Sequence, residues 1–180
     1  VKDFCCLTLG TGVGGGMVMG GELYRGANGS AGEIGHMVID EDGLPCYCGN
    51  RGCLEVYASG TGIMRRATEL GLEVDSSYEL YESARRGDDQ AQKIFREMGR
   101  YLGVGMANLV NMLNPAMIVL GGKVSEAWDY FVPTAIEEMK RRAFKYPVQK
   151  VKVVKATLGD DAALWGCFYL VSRGLGVDLG

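Results

Sequence analysis

The sequence predicts an α/β fold with a mixed sheet, and three observations predict it. A strand–turn–strand meander opens the chain, and a fully apolar five-residue strand at 116–120 follows the longest helical signal. After residue 110, strands and helices alternate.

Residues 4–9 are an apolar run suited to a buried strand, and a glycine turn at 10–16 leads to a second strand at 17–19. The Gly20-Gly21 turn then leads to a third at 22–24, which makes an antiparallel meander. Gly10, Gly12 and Gly15 spell G-x-G-x-x-G, but no helix follows them, so the dinucleotide fingerprint fails its context test. No Walker lysine is present. What remains is a turn rich in unhindered backbone N–H groups, with Thr11 supplying one hydroxyl. Such a turn either wraps an anion as a nest or serves as a plain hairpin. Five glycines in seven residues favour phosphate.

A polar loop at 25–31 precedes a short strand expected at 37–39 and an acidic turn at 40–43. Helices are expected at 63–70, after a Ser59-Gly60-Thr61-Gly62 break, and at 77–86. The longest helical signal covers 88–113, where Ile94, Phe95, Met98, Leu102, Met106 and Leu109 recur at three- and four-residue spacing. Asp88 suits its N-cap and Asn114-Pro115 its stop. Gly99, Gly103 and Ala107 form a small-residue stripe, best explained by close contact with a neighbouring helix or sheet. The 116–120 strand ends in Gly121-Gly122, at the carboxyl edge where α/β sheets place nucleotides. A helix to about 144 would hold Pro133 in its first turn, an edge strand fits 151–155, and a last helix at 162–173 bears Leu164, Trp165, Phe168 and Val171.

The length of 180 residues suits one domain or one large lobe of a bigger enzyme. A hydrophobic fraction of 47% and a net charge of −3 describe an ordinary soluble protein without an electrostatic footprint for nucleic acid or anionic membrane. No apolar run reaches the roughly 18 residues of a membrane span, and no signal peptide opens the chain. Three of the six cysteines cluster with the single histidine, a pattern of metal ligation in a reducing cytoplasm rather than of secreted disulfides. Cys5, Cys6 and Cys167 lie in apolar stretches and are expected to be buried free thiols.

The chemistry concentrates between Glu33 and Glu55, in GEIGH at 32–36 and CYCGNRGCLE at 46–55. Zinc takes four tetrahedral thiolate and imidazole ligands, and Cys₃His is a standard closed structural set. His36, Cys46, Cys48 and Cys53 provide one such set, with Gly49 and Gly52 for the sharp turns. A filled site leaves no position for a metal-bound hydroxide. Glu33 and Glu55 bracket the cluster, and paired carboxylates there suit acid–base work or recognition of hydroxyls.

With these motifs the sequence resembles the ROK family, bacterial sugar kinases and sugar-responsive repressors of the actin-like ATPase (ribonuclease H-like) fold. LGTGVGGG at 9–16, the GEIGH and cysteine motifs, Asn114-Pro115, Gly121-Gly122 and GDDA at 159–162 carry the resemblance over nearly the whole chain. Residues 55–63 look most like the glucokinase branch. The resemblance implies that Thr11 and Gly12 contact ATP phosphates and that Gly121 and Gly122 border the adenosine. It implies that Glu33, His36 and Glu55 bind hydroxyls of glucose or a related hexose, with His36 also ligating a structural zinc through its other ring nitrogen. Mg²⁺ would accompany ATP, and a homodimer is expected.

One departure matters. Kinases of this family begin with an Asp-x-Gly-x-Thr phosphate loop and carry an Asn-Asp whose aspartate takes the sugar proton; neither motif is present here. The chain is therefore expected to be the C-terminal lobe of a sugar kinase, its catalytic base upstream in an N-terminal lobe, and to be inactive alone. The alternative is the sugar-sensing lobe of a ROK repressor.

Overall fold

A computed structural model describes residues 1–175. Five strands form one mixed sheet: β1 (Phe4–Leu9), β2 (Val13–Met19), β3 (Glu22–Leu23), β4 (Met117–Gly121) and β5 (Lys152–Lys155), in the order β3-β2-β1-β4-β5. The β1–β2 and β2–β3 pairs are antiparallel, while β1–β4 and β4–β5 are parallel. The opening meander, the mixed sheet and the two late strands are those expected, and the structure adds that the late strands pair in parallel. Gly20 and Gly21 make the β2–β3 turn with φ of 60° and 87°, which glycine adopts freely.

Seven helices accompany the sheet among the described residues: α1 (Glu55–Ala58), α2 (Gly60–Glu69), α3 (Ser77–Arg85), α4 (Asp89–Leu113), α5 (Trp128–Arg142), α6 (Lys145–Val148) and α7 (Ala162–Gly174). Asp88 caps α4 by accepting the Gln90 and Ala91 N–H groups, and Asn114 ends it in the left-handed region at φ 45°. A β-carbon on Gly99 or Gly103 would lie 2.4 or 2.6 Å from the carbonyl oxygens of Phe131 and Ala135. The small-residue stripe therefore exists to bring α4 against α5. Between these helices and the sheet lies one core, filled by residues such as Leu7, Ile118, Phe95, Leu102 and Phe131.

Several expectations fail in instructive ways. Only residues 10–12 form the glycine turn, because Gly14, Gly15 and Gly16 lie within β2. The 37–39 segment joins no sheet; Ile39 donates to Gly52 O and Leu54 to Met37 O, so it pairs locally with 52–54. Helix α2 begins at Gly60 rather than 63, because the Ser59 hydroxyl caps it by accepting the Gly62 N–H. Pro133 sits in the second turn of α5, not its first, because Phe131 and Val132 are buried and draw the helix start back to Trp128. Cys167 is exposed, Cys6 is half-buried and only Cys5 is fully buried. Helix α7 leaves Leu164, Trp165, Phe168 and Val171 exposed, with Trp165 at 56%.

Candidate functional site

The site is built where the loop at 32–36 lies on strand β2. A β-carbon on Gly15 would come within 2.5 Å of Gly32 O, and one on Gly35 within 2.2 Å of Val13 O. Gly15 in β2 and Gly35 in the loop thus serve close backbone approach, which lays the segment carrying Glu33 and His36 on the start of β2. On the other side, Leu54 anchors the cysteine loop to α4. It is fully buried, and a β-carbon on Gly105 would meet its side chain at 2.7 Å. Burying a leucine of this kind contributes about 2 kcal/mol. Tyr57 adds a second anchor: its ring stacks on Tyr101 at 4.1 Å, and its hydroxyl accepts Leu44 N–H and donates to Asp40.

Leu54 immediately precedes Glu55, whose carboxylate Oε2 accepts the backbone N–H of Val13 at 2.8 Å. Gly12 makes room for it, since a β-carbon there would lie 2.2 Å from the same oxygen. One N–H expected to be free for an anion is therefore held by Glu55. The N-terminus of α2 supports the turn from beside: Gly60 N–H donates to Gly10 O, and the Thr61 N–H and hydroxyl donate to Thr11 O.

Gly121 pairs with Thr8 across the parallel β1–β4 register, so the Gly121-Gly122 turn and the Thr11-Gly12 turn share one edge of the sheet. Gly122 has φ 83°, and its β-carbon would meet Leu9 O at 2.3 Å, so only glycine fits beside β1. Lys123 next to it pairs with Asp160 at 3.1 Å. A cleft of about 570 Å³ runs along the Thr11, Gly12 and Glu55 side, bordered by Tyr47, Thr61 and Arg65.

His36, Cys46, Cys48 and Cys53 converge, with their donor atoms all within 4.8 Å of one another. Cys46 Sγ lies 3.7 Å from His36 Nδ1, and Cys48 Sγ lies 3.7 Å from Cys53 Sγ. A tetrahedral zinc with sulfur at about 2.3 Å sets edges of about 3.8 Å, so the donor set fits the ion. Burial, followed by hydrogen bonding to Cys46 and Cys48, pushes the Cys53 thiol up to about 12. The Asn50 backbone N–H leads in lowering Cys48. A cation among these sulfurs would offset the burial and crowding that disfavour thiolate.

With Nδ1 turned to Cys46, His36 presents Nε2 outward, 4.0 Å from a Glu33 oxygen and 3.1 Å from the Tyr47 hydroxyl. The negative charge of Glu55, the leading cause, holds the Tyr47 phenol above its ordinary range. Tyr47 was absent from the sequence expectations. Its signal was its place as the one residue between Cys46 and Cys48, which obliges it to stand beside whatever that pair holds. The bonds from Gly60 and Thr61 to the turn follow from the Ser59 cap, which starts α2 earlier than its apolar spacing does.

Residues 1–174 match the ROK family. The chain belongs to the ROK family. It is similar to a glucokinase of Halalkalibacterium halodurans, 41% identical over 96% of this chain and 57% of that protein. It is also similar to a xylose repressor of Caldicellulosiruptor bescii, 32% identical over 95% of this chain and 46% of the repressor. Among solved structures, a ROK family glucokinase from Streptomyces griseus in complex with glucose and AMPPNP superposes with a TM-score of 0.82, at 35% identity over 94% of this chain and 60% of that one. The chain thus spans about half the length of the ROK proteins it matches. Among its described residues no helix is long and apolar enough to cross a membrane.

Proposed function

We propose that this ROK chain is the sugar- and ATP-contacting C-terminal lobe of an ATP-dependent hexokinase of glucokinase type, which converts glucose and ATP to glucose 6-phosphate and ADP. The observation that carries the reading is the Glu55–Val13 bond, which joins the carboxylate at the end of the cysteine loop to the glycine turn. It sets a candidate hydroxyl-binding group next to a candidate phosphate-binding turn, as transfer between a sugar and a nucleotide requires.

In this reading Glu33, His36 Nε2 and Glu55 bind sugar hydroxyls, Thr11 and Gly12 face the phosphates, and Gly121 and Gly122 border the adenosine. The γ-phosphoryl group passes to the sugar hydroxyl, ADP leaves, and the hydroxyl proton goes to an aspartate on a second, N-terminal lobe. Mg²⁺ would accompany ATP. His36, Cys46, Cys48 and Cys53 would hold a structural zinc, whose contribution is to fix the loop. Ligation at Nδ1 leaves Nε2 as an N–H donor aimed at a hydroxyl.

The sheet order β3-β2-β1-β4-β5, with β1, β4 and β5 parallel, supports the ribonuclease H-like description of the lobe. The apolar face of α7 supports a two-lobe protein, since exposed apolar patches of this kind mark interaction surfaces. The similarity to xylose repressors favours a second reading, a sugar-sensing repressor lobe with its DNA-binding region upstream. The test is to express the whole open reading frame that carries this chain and measure glucose-dependent ADP formation. Turnover supports the kinase. Sugar binding without turnover, together with an encoded helix-turn-helix, supports the repressor.

A further inference from the structure

The nitrogen of His36 that faces away from the thiols already has a partner. Tyr47 places its hydroxyl 3.1 Å from Nε2 and sets its ring edge-on to the imidazole, with centroids 5.2 Å apart. One imidazole nitrogen offers one hydrogen-bonding site, so a phenol there and a sugar hydroxyl there exclude each other.

Two features make the phenol displaceable. Tyr47 is 83% exposed, so little packing holds its ring against His36. Its neighbours Cys46 and Cys48 belong to the cluster and Cys46 is buried, so the backbone stays fixed while the side chain can rotate away. A rotamer change at an exposed aromatic is fast and needs no movement of the loop. The same ring borders the cleft beside Thr11, Gly12 and Glu55, so it stands at the entrance as well as on the nitrogen.

We propose that Tyr47 is a specificity-determining plug: it occupies the hydroxyl position at His36 Nε2 and must be displaced by the sugar. The inference rests on the reading of His36 as a sugar ligand. It adds a residue that competes with the sugar rather than contacting it. A ligand lacking the hydroxyl that replaces the phenol leaves the plug in place, so the plug raises the penalty for the wrong sugar. Removing only the phenol oxygen removes the competition and keeps the ring. Since a hydrogen bond is worth little net, the affinity gain is about two- to tenfold.

The test combines calorimetric titration of D-glucose with ¹⁵N-histidine NMR on the protein expressed from the whole open reading frame, as wild type and as Tyr47→Phe. His36 is the only histidine of these 180 residues, and a His36→Gln control assigns its two ring nitrogens. The plug predicts that Tyr47→Phe shifts the Nε2 resonance while Nδ1 stays, and that it tightens glucose binding about two- to tenfold. It further predicts that glucose perturbs Nε2 in the wild type. Equal or weaker glucose binding by Tyr47→Phe, or an unmoved Nε2 resonance, overturns the plug while leaving the sugar site standing. No response to glucose in either protein overturns the sugar reading itself, and the competition with it.

Discussion

Glu55 accepts the backbone N–H of Val13 at 2.8 Å, which fastens the end of the cysteine loop to the glycine turn. Under the proposed reading, a movement of the turn on binding phosphate would be transmitted to a group that borders the candidate sugar cleft. The relationship depends on Gly12, whose missing side chain is the space the carboxylate fills.

Substitutions at these two positions should separate recognition from folding. Glu55→Gln keeps an acceptor for Val13 N–H but replaces a charged partner by a neutral one, which loses roughly 1 kcal/mol per sugar hydroxyl. Glucose affinity should fall about five- to tenfold with the melting temperature nearly unchanged. Calorimetry on the full-length parent, beside thermal unfolding, checks both; an unchanged affinity removes Glu55 from the sugar site. Gly12→Ala should break the clamp itself and lower glucose and ATP-analogue affinity together.

The cysteine loop should be most sensitive at Gly52. Its φ of 68° and a β-carbon position 1.6 Å from Asp40 O leave no room for alanine. Gly52→Ala should destabilise the chain by more than about 2 kcal/mol, by combined backbone strain and overlap. Urea unfolding measures this, and a loss below about 0.5 kcal/mol would mean that the loop is not held as described.

Hydrogen bonds from Arg141, and then Arg142, hold the Glu138 carboxylate down at about 2, below the ordinary 4.5. A depressed folded value means that the stabilisation is present above pH 4.5 and is lost as pH falls towards 2. Because Arg141 and Arg142 are largely exposed, solvent screening reduces the effect to about 1 kcal/mol. Glu138→Gln should be less stable than wild type by that amount at neutral pH, with the difference shrinking below pH 4.5. A difference that persists undiminished at pH 3 would assign the effect to packing against Gly103 instead.

The 180 residues on their own should show no glucose-dependent ATP consumption, because they carry neither an Asp-x-Gly-x-Thr loop nor an Asn-Asp. Coupled detection of ADP checks this. Measurable turnover would place the base inside the chain.

Much of this was legible in the sequence, for local reasons. Asp88 and Asn114 bounded α4 because caps are short-range chemistry, and His36, Cys46, Cys48 and Cys53 announced themselves because few folds need those four side chains in eighteen residues. What was hidden depends on contacts between distant segments. The five glycines at 10–16 looked like an anion turn, but three of them sit in β2, and Gly15 meets a loop at residue 32. The bond between residues 13 and 55 left no trace in spacing. Helix α7 reads as a core helix by composition, yet its apolar face lies open among the described residues. Burial is a property of the whole assembly of segments rather than of one segment's sequence.

A Cys₃His-bound zinc would hold the loop so that His36 points Nε2 outward. Metal analysis of the freshly purified chain, with X-ray absorption at the zinc edge, tests it most directly. The expected result is one zinc per chain coordinated by three sulfurs and one nitrogen, with the stoichiometry falling in Cys48→Ser. Protein that folds without zinc, or a zinc shell lacking nitrogen, would contradict it.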